Sequence, residues 1–192
     1  GLTGINFYGM TAGIVGTGKI GRVFIDICRG FGMEIIAYDK YPAKDSDINY
    51  VSLDELFSRS DIISLHCPLT EESYHMVDDK AIDMMKKGVI IINTSRGALI
   101  DADSLLAGIK DRKIGGACLD VYEEEADVFY ADKSGHILSD DTLARLISMP
   151  NVIVTSHQAF LTKEALNNIA ETTFINLKAV KDGAELVNEV RI

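Results

Sequence analysis

Thr11-Ala-Gly-Ile-Val-Gly16-Thr-Gly18-Lys-Ile-Gly21 is the stretch on which the fold of this chain turns. A short apolar run ends at Gly16, and from Lys19 onward apolar residues recur at helical spacing: Ile20, Val23, Phe24, Ile27 and Phe31. The turn between them fits G-x-G-x-x-G, which alone is a weak signal. Its context strengthens it. Glu34-Ile-Ile-Ala-Tyr-Asp39 reads as a second strand, and Asp39 closes it 18 positions beyond Gly21, near the interval of a dinucleotide-binding unit. Gly16 suits the tight turn, Gly18 lets backbone approach a pyrophosphate, and Gly21 lets helix and strand pack closely. The helix start supplies N–H groups and a partial positive charge. Asp39 suits the ribose hydroxyls and repels a 2′-phosphate, which favours NAD over NADP. The overlapping Gly13–Lys19 also matches the triphosphatase loop G-x-x-x-x-G-K. Ile20 stands where that loop needs a magnesium-holding Ser or Thr, so the triphosphatase reading fails.

Working outward, four more β-rich runs follow: Asp61–Cys67, Val89–Thr94, Gly116–Tyr122 and Val152–Ser156. Several are apolar throughout, as expected of strands covered on both faces. Helical patterns separate them at Lys19–Gly30, Ser52–Ser58, Asp78–Lys86 and Asp101–Arg112, and a long amphipathic stretch runs from Thr162 to Lys181. Alternating strand and helix predicts an α/β fold, a Rossmann-type doubly wound parallel sheet of six or more strands in a single domain, with the order 3-2-1-4-5-6. Glu123–Asn151 is the one irregular region, predicted to hold a loop and a helix at Asp140–Ser148; so long a connection is usually functional.

Composition narrows the function classes. Of 192 residues, 47% are hydrophobic and 25% charged, enough for a sizeable core. Nineteen basic against 29 acidic residues give a net charge of −10. That balance argues against nucleic-acid and anionic-membrane partners. Three scattered cysteines form no CxxC pair, which suits a reducing, cytoplasmic setting and offers no metal site. The apolar runs are far too short for a membrane helix.

Three strand ends carry polar groups able to act together: Asn93-Thr-Ser-Arg96-Gly97, Asp120-Val-Tyr-Glu-Glu-Glu125 and Thr155-Ser-His157. Hydride transfer on a 2-oxo acid needs such a set. A guanidinium fork binds the substrate carboxylate, an imidazole exchanges the hydroxyl proton, and a carboxylate supports the imidazole. Taken singly, Arg96 reads as well as a loop cation, Glu123–Glu125 as a solvated acidic run, and His157 as a core histidine. Together, on a dinucleotide-binding scaffold, they favour catalysis. His66 and Cys67, adjacent on one strand, point to opposite faces and make no catalytic pair. His75 and His136 lie in polar stretches and are expected to be exposed. No tyrosine has Lys four positions later, which excludes the short-chain reductases.

In these segments, with Leu65-His66-Cys67-Pro68-Leu-Thr70 and Pro150–His157, the chain resembles the NAD-dependent D-2-hydroxyacid dehydrogenases along nearly its whole length. The resemblance implies a catalytic set of Arg96, Glu125 and His157, with Glu125 rather than Glu123 or Glu124 as the acid. It also implies cofactor contacts from Gly16, Gly18, Lys19, Ile20, Gly21, Asp39, Cys67, Pro68 and Ser73, and from Thr94, Ser95, Arg96 and Asp120 around the nicotinamide. A small 2-oxo acid such as pyruvate is the implied substrate, and a homodimer the implied assembly. A dehydrogenase of a bulkier 2-hydroxy acid and an NAD-responsive module similar to the family's corepressor relatives are the alternatives. Two positions depart from the family pattern: Ser156 stands where Pro is common, and Cys67 where Val is frequent. Residues 1–192 are expected to form the NAD-binding domain, with 160–192 a long helix and tail returning toward an absent substrate domain. The isolated chain is then expected to bind cofactor and catalyse almost nothing.

Overall fold

The computed structural model describes residues 4–44, 46–123 and 140–190. Its first compact unit runs to Ser156, and a second covers His157–Ile192. In the first unit the expected alternation is present: β1 (Thr11–Val15), α1 (Lys19–Gly30), β2 (Glu34–Tyr38), α2 (Leu53–Arg59), β3 (Ile62–Leu65), α3 (Asp79–Met84), β4 (Val89–Asn93), a 3₁₀ turn (Gly97–Leu99), α4 (Ala102–Lys110), β5 (Ile114–Leu119), α5 (Asp141–Ser148) and β6 (Val152–Val154). All six strands are parallel.

The sheet order is β2-β1-β3-β4-β5-β6, which corrects the expected 3-2-1-4-5-6 as numbered from the six apolar runs. The Asp61 run crosses to the far side of β1 instead of pairing outside β2. The place beside β2 is taken by Tyr50, which forms a single parallel bridge with Ala37. Asn49 O accepts from the Ala37 N–H, and the Val51 N–H donates to Ala37 O, both at 2.9 Å. A third strand of one bridge carries no periodicity, so it was invisible to pattern reading. Ile62–Leu65, wholly buried, belongs in the sheet interior for the same reason an apolar run avoids an edge. The strand order thus reverses between β1 and β3, and the crevice there is the switch point where ligands bind in such sheets.

The two faces are covered unequally. One packs Leu56 and Phe57 of α2, Ala81 and Ile82 of α3, Leu105 and Ile109 of α4 and Leu143 and Leu146 of α5 against Val15, Ile63, Leu65 and Ile91. On the other, Ile25 and Cys28 of α1 close over Ala12, Ile14, Ala37 and Ile62. Both faces carry helices, as the apolar runs predicted for several strands, but the edge strand is less covered: Ile153 of β6 is 62% exposed. The second unit is α6 (Lys163–Asp182), capped by Thr162 and closed by Gly183 at φ 63°. The helix has no buried residue, and Phe174, Ile175, Leu177 and Val180 stand exposed.

Candidate cofactor and active site

Register alone builds one edge of the site. Tyr38, Val15, Leu65, Asn93, Leu119 and Val154 are partners in a single row across the sheet, and each is the last residue of its strand. The residues that follow them, Asp39, Gly16, His66, Thr94, Asp120 and Thr155, therefore emerge along the same carboxyl edge.

Gly16 makes the first turn at φ 94°, a conformation that favours glycine. A Cβ there would also lie 2.7 Å from the His66 carbonyl carbon, so the loop after β3 excludes any larger residue. Gly21 packs as tightly, with a Cβ position 2.0 Å from Gly16 O. Gly18 differs: a Cβ would meet nothing within 4 Å, so its role is to leave space. It opens α1 without a side-chain cap, and α1 has no acidic residue in its first turn. The other helices are capped by Ser52, Asp78, Asp101, Asp140 and Thr162. An uncapped helix start facing open space beside glycine is what an anionic pyrophosphate requires. A cavity of about 650 Å³ lies there, lined by Gly16, Gly18, Asp39, Cys67, Pro68 and Ser73, among others.

Asp39 is fixed from two sides. One oxygen accepts from the Thr17 N–H at 2.7 Å and the Thr17 hydroxyl at 2.9 Å, and the other accepts from the Tyr41 N–H at 2.8 Å. Burial pushes its carboxyl up, but these donors and the Arg22 charge outweigh it and hold the group below its ordinary value. It stays charged throughout the neutral range. Thr17 in turn shares a hydrogen bond with the Tyr50 hydroxyl at 2.9 Å. Thr17 and Tyr50 were missed from sequence: a threonine inside a glycine loop carries no signal, and Tyr50 lies 11 positions beyond Asp39.

His66 and Cys67 take different partners, as their adjacency implied. His66 Nε2 meets Ser64 Oγ at 2.9 Å, and its ring lies 5.2 Å from that of Phe24. Burial pushes its pKa down, which keeps it neutral. Cys67 Sγ faces Met76 Sδ at 3.7 Å, and burial, with the Asp39 charge adding, pushes its thiol up to about 11. Ser73 ties its own loop, donating to Pro68 O at 2.8 Å.

At the end of β4, the buried Asn93 shapes the turn that presents Arg96. Its amide donates to Arg96 O at 2.9 Å, and its carbonyl oxygen accepts from the Ser95 N–H at 3.1 Å. Ser95 Oγ donates to Cys67 O at 2.6 Å, tying this turn to the loop after β3. Gly97 lies so close to Tyr122 that a Cβ would fall 2.1 Å from its carbonyl carbon. Arg96 and Thr94 are exposed. Asp120 is buried and accepts from the Thr155 hydroxyl, which joins the ends of β5 and β6. His157 opens the second unit with a left-handed backbone, φ 53°. Glu125, Glu124 and His136 lie outside the described residues.

His75 corrects an expectation. It is not an exposed loop histidine: its side chain is 25% exposed and sits between two carboxylates. Nε2 is 2.7 Å from Glu123 Oε1 and Nδ1 is 3.3 Å from Asp101 Oδ2, and the Tyr74 ring stacks on it at 3.9 Å. The tertiary fold assembles this cluster from residues 26 and 48 positions from His75, so no local pattern announces it.

The model of the D-isomer-specific 2-hydroxyacid dehydrogenase NAD-binding domain matches residues 1–159, and the chain belongs to that family. Its cofactor is NAD. It is 50% identical to the D-lactate dehydrogenase of Escherichia coli K12 over 193 aligned residues, covering 99% of this chain and 59% of that protein. It is 48% identical to an aromatic 2-oxoacid reductase of Clostridium sporogenes, covering 93% of this chain and 55% of that one. The structure of a D-lactate dehydrogenase with NAD⁺ from Lactobacillus jensenii superposes with a TM-score of 0.90 at 30% identity, covering 100% of this chain and 58% of that one. The chain thus spans somewhat over half the length of these relatives.

Proposed function

We propose that the chain is the NAD-binding domain of a D-lactate dehydrogenase, catalysing reversible hydride transfer between NADH and pyruvate. The observation that carries this reading is the single row of strand ends, which brings the cofactor cradle, the Arg96 turn and Asp120 to one edge. Fifty per cent identity to a D-lactate dehydrogenase supports the choice of substrate.

When bound, NADH supplies the hydride. Lys19, Ile20 and the α1 start hold the pyrophosphate, and Asp39 the adenosine ribose. Cys67, Pro68 and Ser73 flank the adenosine, and Thr94, Ser95 and Asp120 place the nicotinamide. Arg96 grips the substrate carboxylate through its guanidinium fork. His157 gives the carbonyl oxygen its proton, and Glu125 stabilises the imidazolium. A bulkier substrate is the second reading, favoured by the similarity to an aromatic 2-oxoacid reductase.

We also infer a homodimer, supported by the apolar outer face of α1 and its C-cap, where Ile20, Val23, Ile27 and the capping Phe31 are exposed. A cytoplasmic setting fits the free Cys28, Cys67 and Cys118. No helix among the described residues is long and apolar enough to cross a membrane. Residues 160–192 would return the chain toward a substrate domain, leaving the 192-residue chain able to bind NADH but nearly inactive. The test is NADH consumption by the full-length protein with pyruvate and with phenylpyruvate, and enantiomer analysis of the product. D-lactate formed faster than D-phenyllactate supports the proposal; L-lactate, or no turnover of either acid, overturns it.

A further inference from the structure

We propose that Glu72 is a second determinant of cofactor choice, acting by holding Lys40 away from the adenosine ribose. This rests on the placement of Asp39 at that ribose.

Lys40 follows Asp39 directly and, among the described residues lining the cavity, is the one Lys or Arg; Asp39, Glu71 and Glu72 are the carboxylates among them. A cation in that position would ordinarily relieve the repulsion between Asp39 and a 2′-phosphate. Lys40 is otherwise engaged. Its Nζ pairs with Glu72 Oε2, a residue 32 positions away on the loop after β3. The pair joins the two lips of the cavity, one following β2 and the other following β3. The ammonium also lies 5.8 Å from the Tyr41 ring centroid.

Both partners are exposed, Lys40 by 54% and Glu72 by 69%, so the pair is weak and exchangeable. A cofactor phosphate, with its greater charge, would compete for Lys40. Winning that competition strands Glu72 as a bare carboxylate on the same lip. Glu72 therefore acts against NADP twice, by occupying the cation and by remaining near once the cation has gone. NAD carries no such phosphate and leaves the pair intact. Asp39 repels the phosphate directly, whereas Glu72 engages the cation on the cavity wall that would add to the Arg22 charge in offsetting the repulsion.

The test is titration of the chain with NADH and with NADPH, followed by nicotinamide fluorescence, in four forms: unaltered, Glu72→Gln, Glu72→Gln with Lys40→Met, and Asp39→Ser. Glu72→Gln is close to isosteric at an exposed position and should not disturb folding. It should raise the affinity for NADPH relative to NADH about three- to fivefold at low salt, the range of an exposed ion pair. Adding Lys40→Met should cancel the gain, and 1 M salt should shrink it. An unchanged ratio in Glu72→Gln overturns the proposal, and so does a gain that survives Lys40→Met. Asp39→Ser separates the two readings. If it raises relative NADPH affinity while Glu72→Gln does not, only the role of Glu72 falls. If Asp39→Ser itself changes nothing, the ribose placement falls, and the role of Glu72 with it.

Discussion

His75 Nε2 lies 2.7 Å from Glu123 Oε1, and that contact commits Glu123. The same carboxylate oxygen accepts from the Tyr74 hydroxyl at 3.3 Å. A carboxylate engaged with one imidazole is poorly placed to serve a second, which favours Glu125 as the support of His157. In the full-length protein, Glu123→Gln should cost roughly 1 kcal/mol of stability and leave the pH dependence of pyruvate reduction unchanged. Glu125→Gln should do the reverse. Without its carboxylate the imidazolium loses its proton at lower pH, so reduction fades at lower pH. Denaturant melts and kcat/KM profiles read both; a profile moved by Glu123→Gln would transfer the role.

The two glycines of the loop should fail in different ways. Gly16→Ala meets a left-handed backbone and the His66 carbonyl carbon at 2.7 Å. It should destabilise the fold by about 2 kcal/mol or more. Gly18→Ala meets nothing and should leave the melting temperature almost unmoved. Its methyl would project into the space proposed for the pyrophosphate, so NADH affinity should fall about tenfold. Thermal melts with and without NADH distinguish the two. A Gly18→Ala variant with full affinity would show that the phosphates lie elsewhere.

Arg96 is exposed, with Nη1 donating to Ser95 O at 2.7 Å and the rest of its fork available to a carboxylate. Arg96→Lys keeps the charge and loses the planar fork. In the full-length protein, pyruvate KM should rise and kcat fall, together lowering kcat/KM about 100-fold, or about 2.7 kcal/mol. The Kd of NADH should hold. Kinetics beside fluorescence titration separates these effects.

Cys67 lines the cavity beside Gly16 and Asp39, yet burial pushes its thiol up to about 11. Alkylation requires the thiolate, so at pH 8 it should react with iodoacetamide on the order of 100-fold more slowly than an ordinary thiol. Bound NADH should slow it further. Mass spectrometry of tryptic peptides over time measures this directly, and fast labelling would mean that the cavity wall opens.

Acid should attack identifiable points. In Asp61 burial raises the carboxyl pKa, but Lys86 at 2.8 Å and the Thr11 N–H at 2.8 Å bring it below its ordinary value. In Asp101 the hydroxyl and N–H of Ser104 do the same, His75 adding to them. Carboxyls depressed in the folded state contribute stability that is present above their unfolded values, near 4, and lost as pH falls through the folded values. Asp61→Asn should therefore be less stable at pH 7 but lose less stability between about pH 4 and pH 2. Denaturant midpoints across that range check the sign.

Much of this molecule was legible in one dimension. The glycine spacing, the apolar runs and the acidic residue closing the second run pointed to a doubly wound sheet and predicted a dinucleotide at its first turn, because those signals are local and period-bound. The strand ends bearing Asp39, Arg96 and Asp120 followed from the same runs. Tertiary structure decided the rest. Tyr50 took the edge beside β2 in a single bridge, too short to carry a period, and the wholly buried β3 lies on the far side of β1. Thr17 locks Asp39 from 22 positions away, and Asp101, the cap of α4, and Glu123, beyond the end of β5, converge on His75. Those contacts join residues far apart in the chain, and only the packed sheet brings them within hydrogen-bond distance.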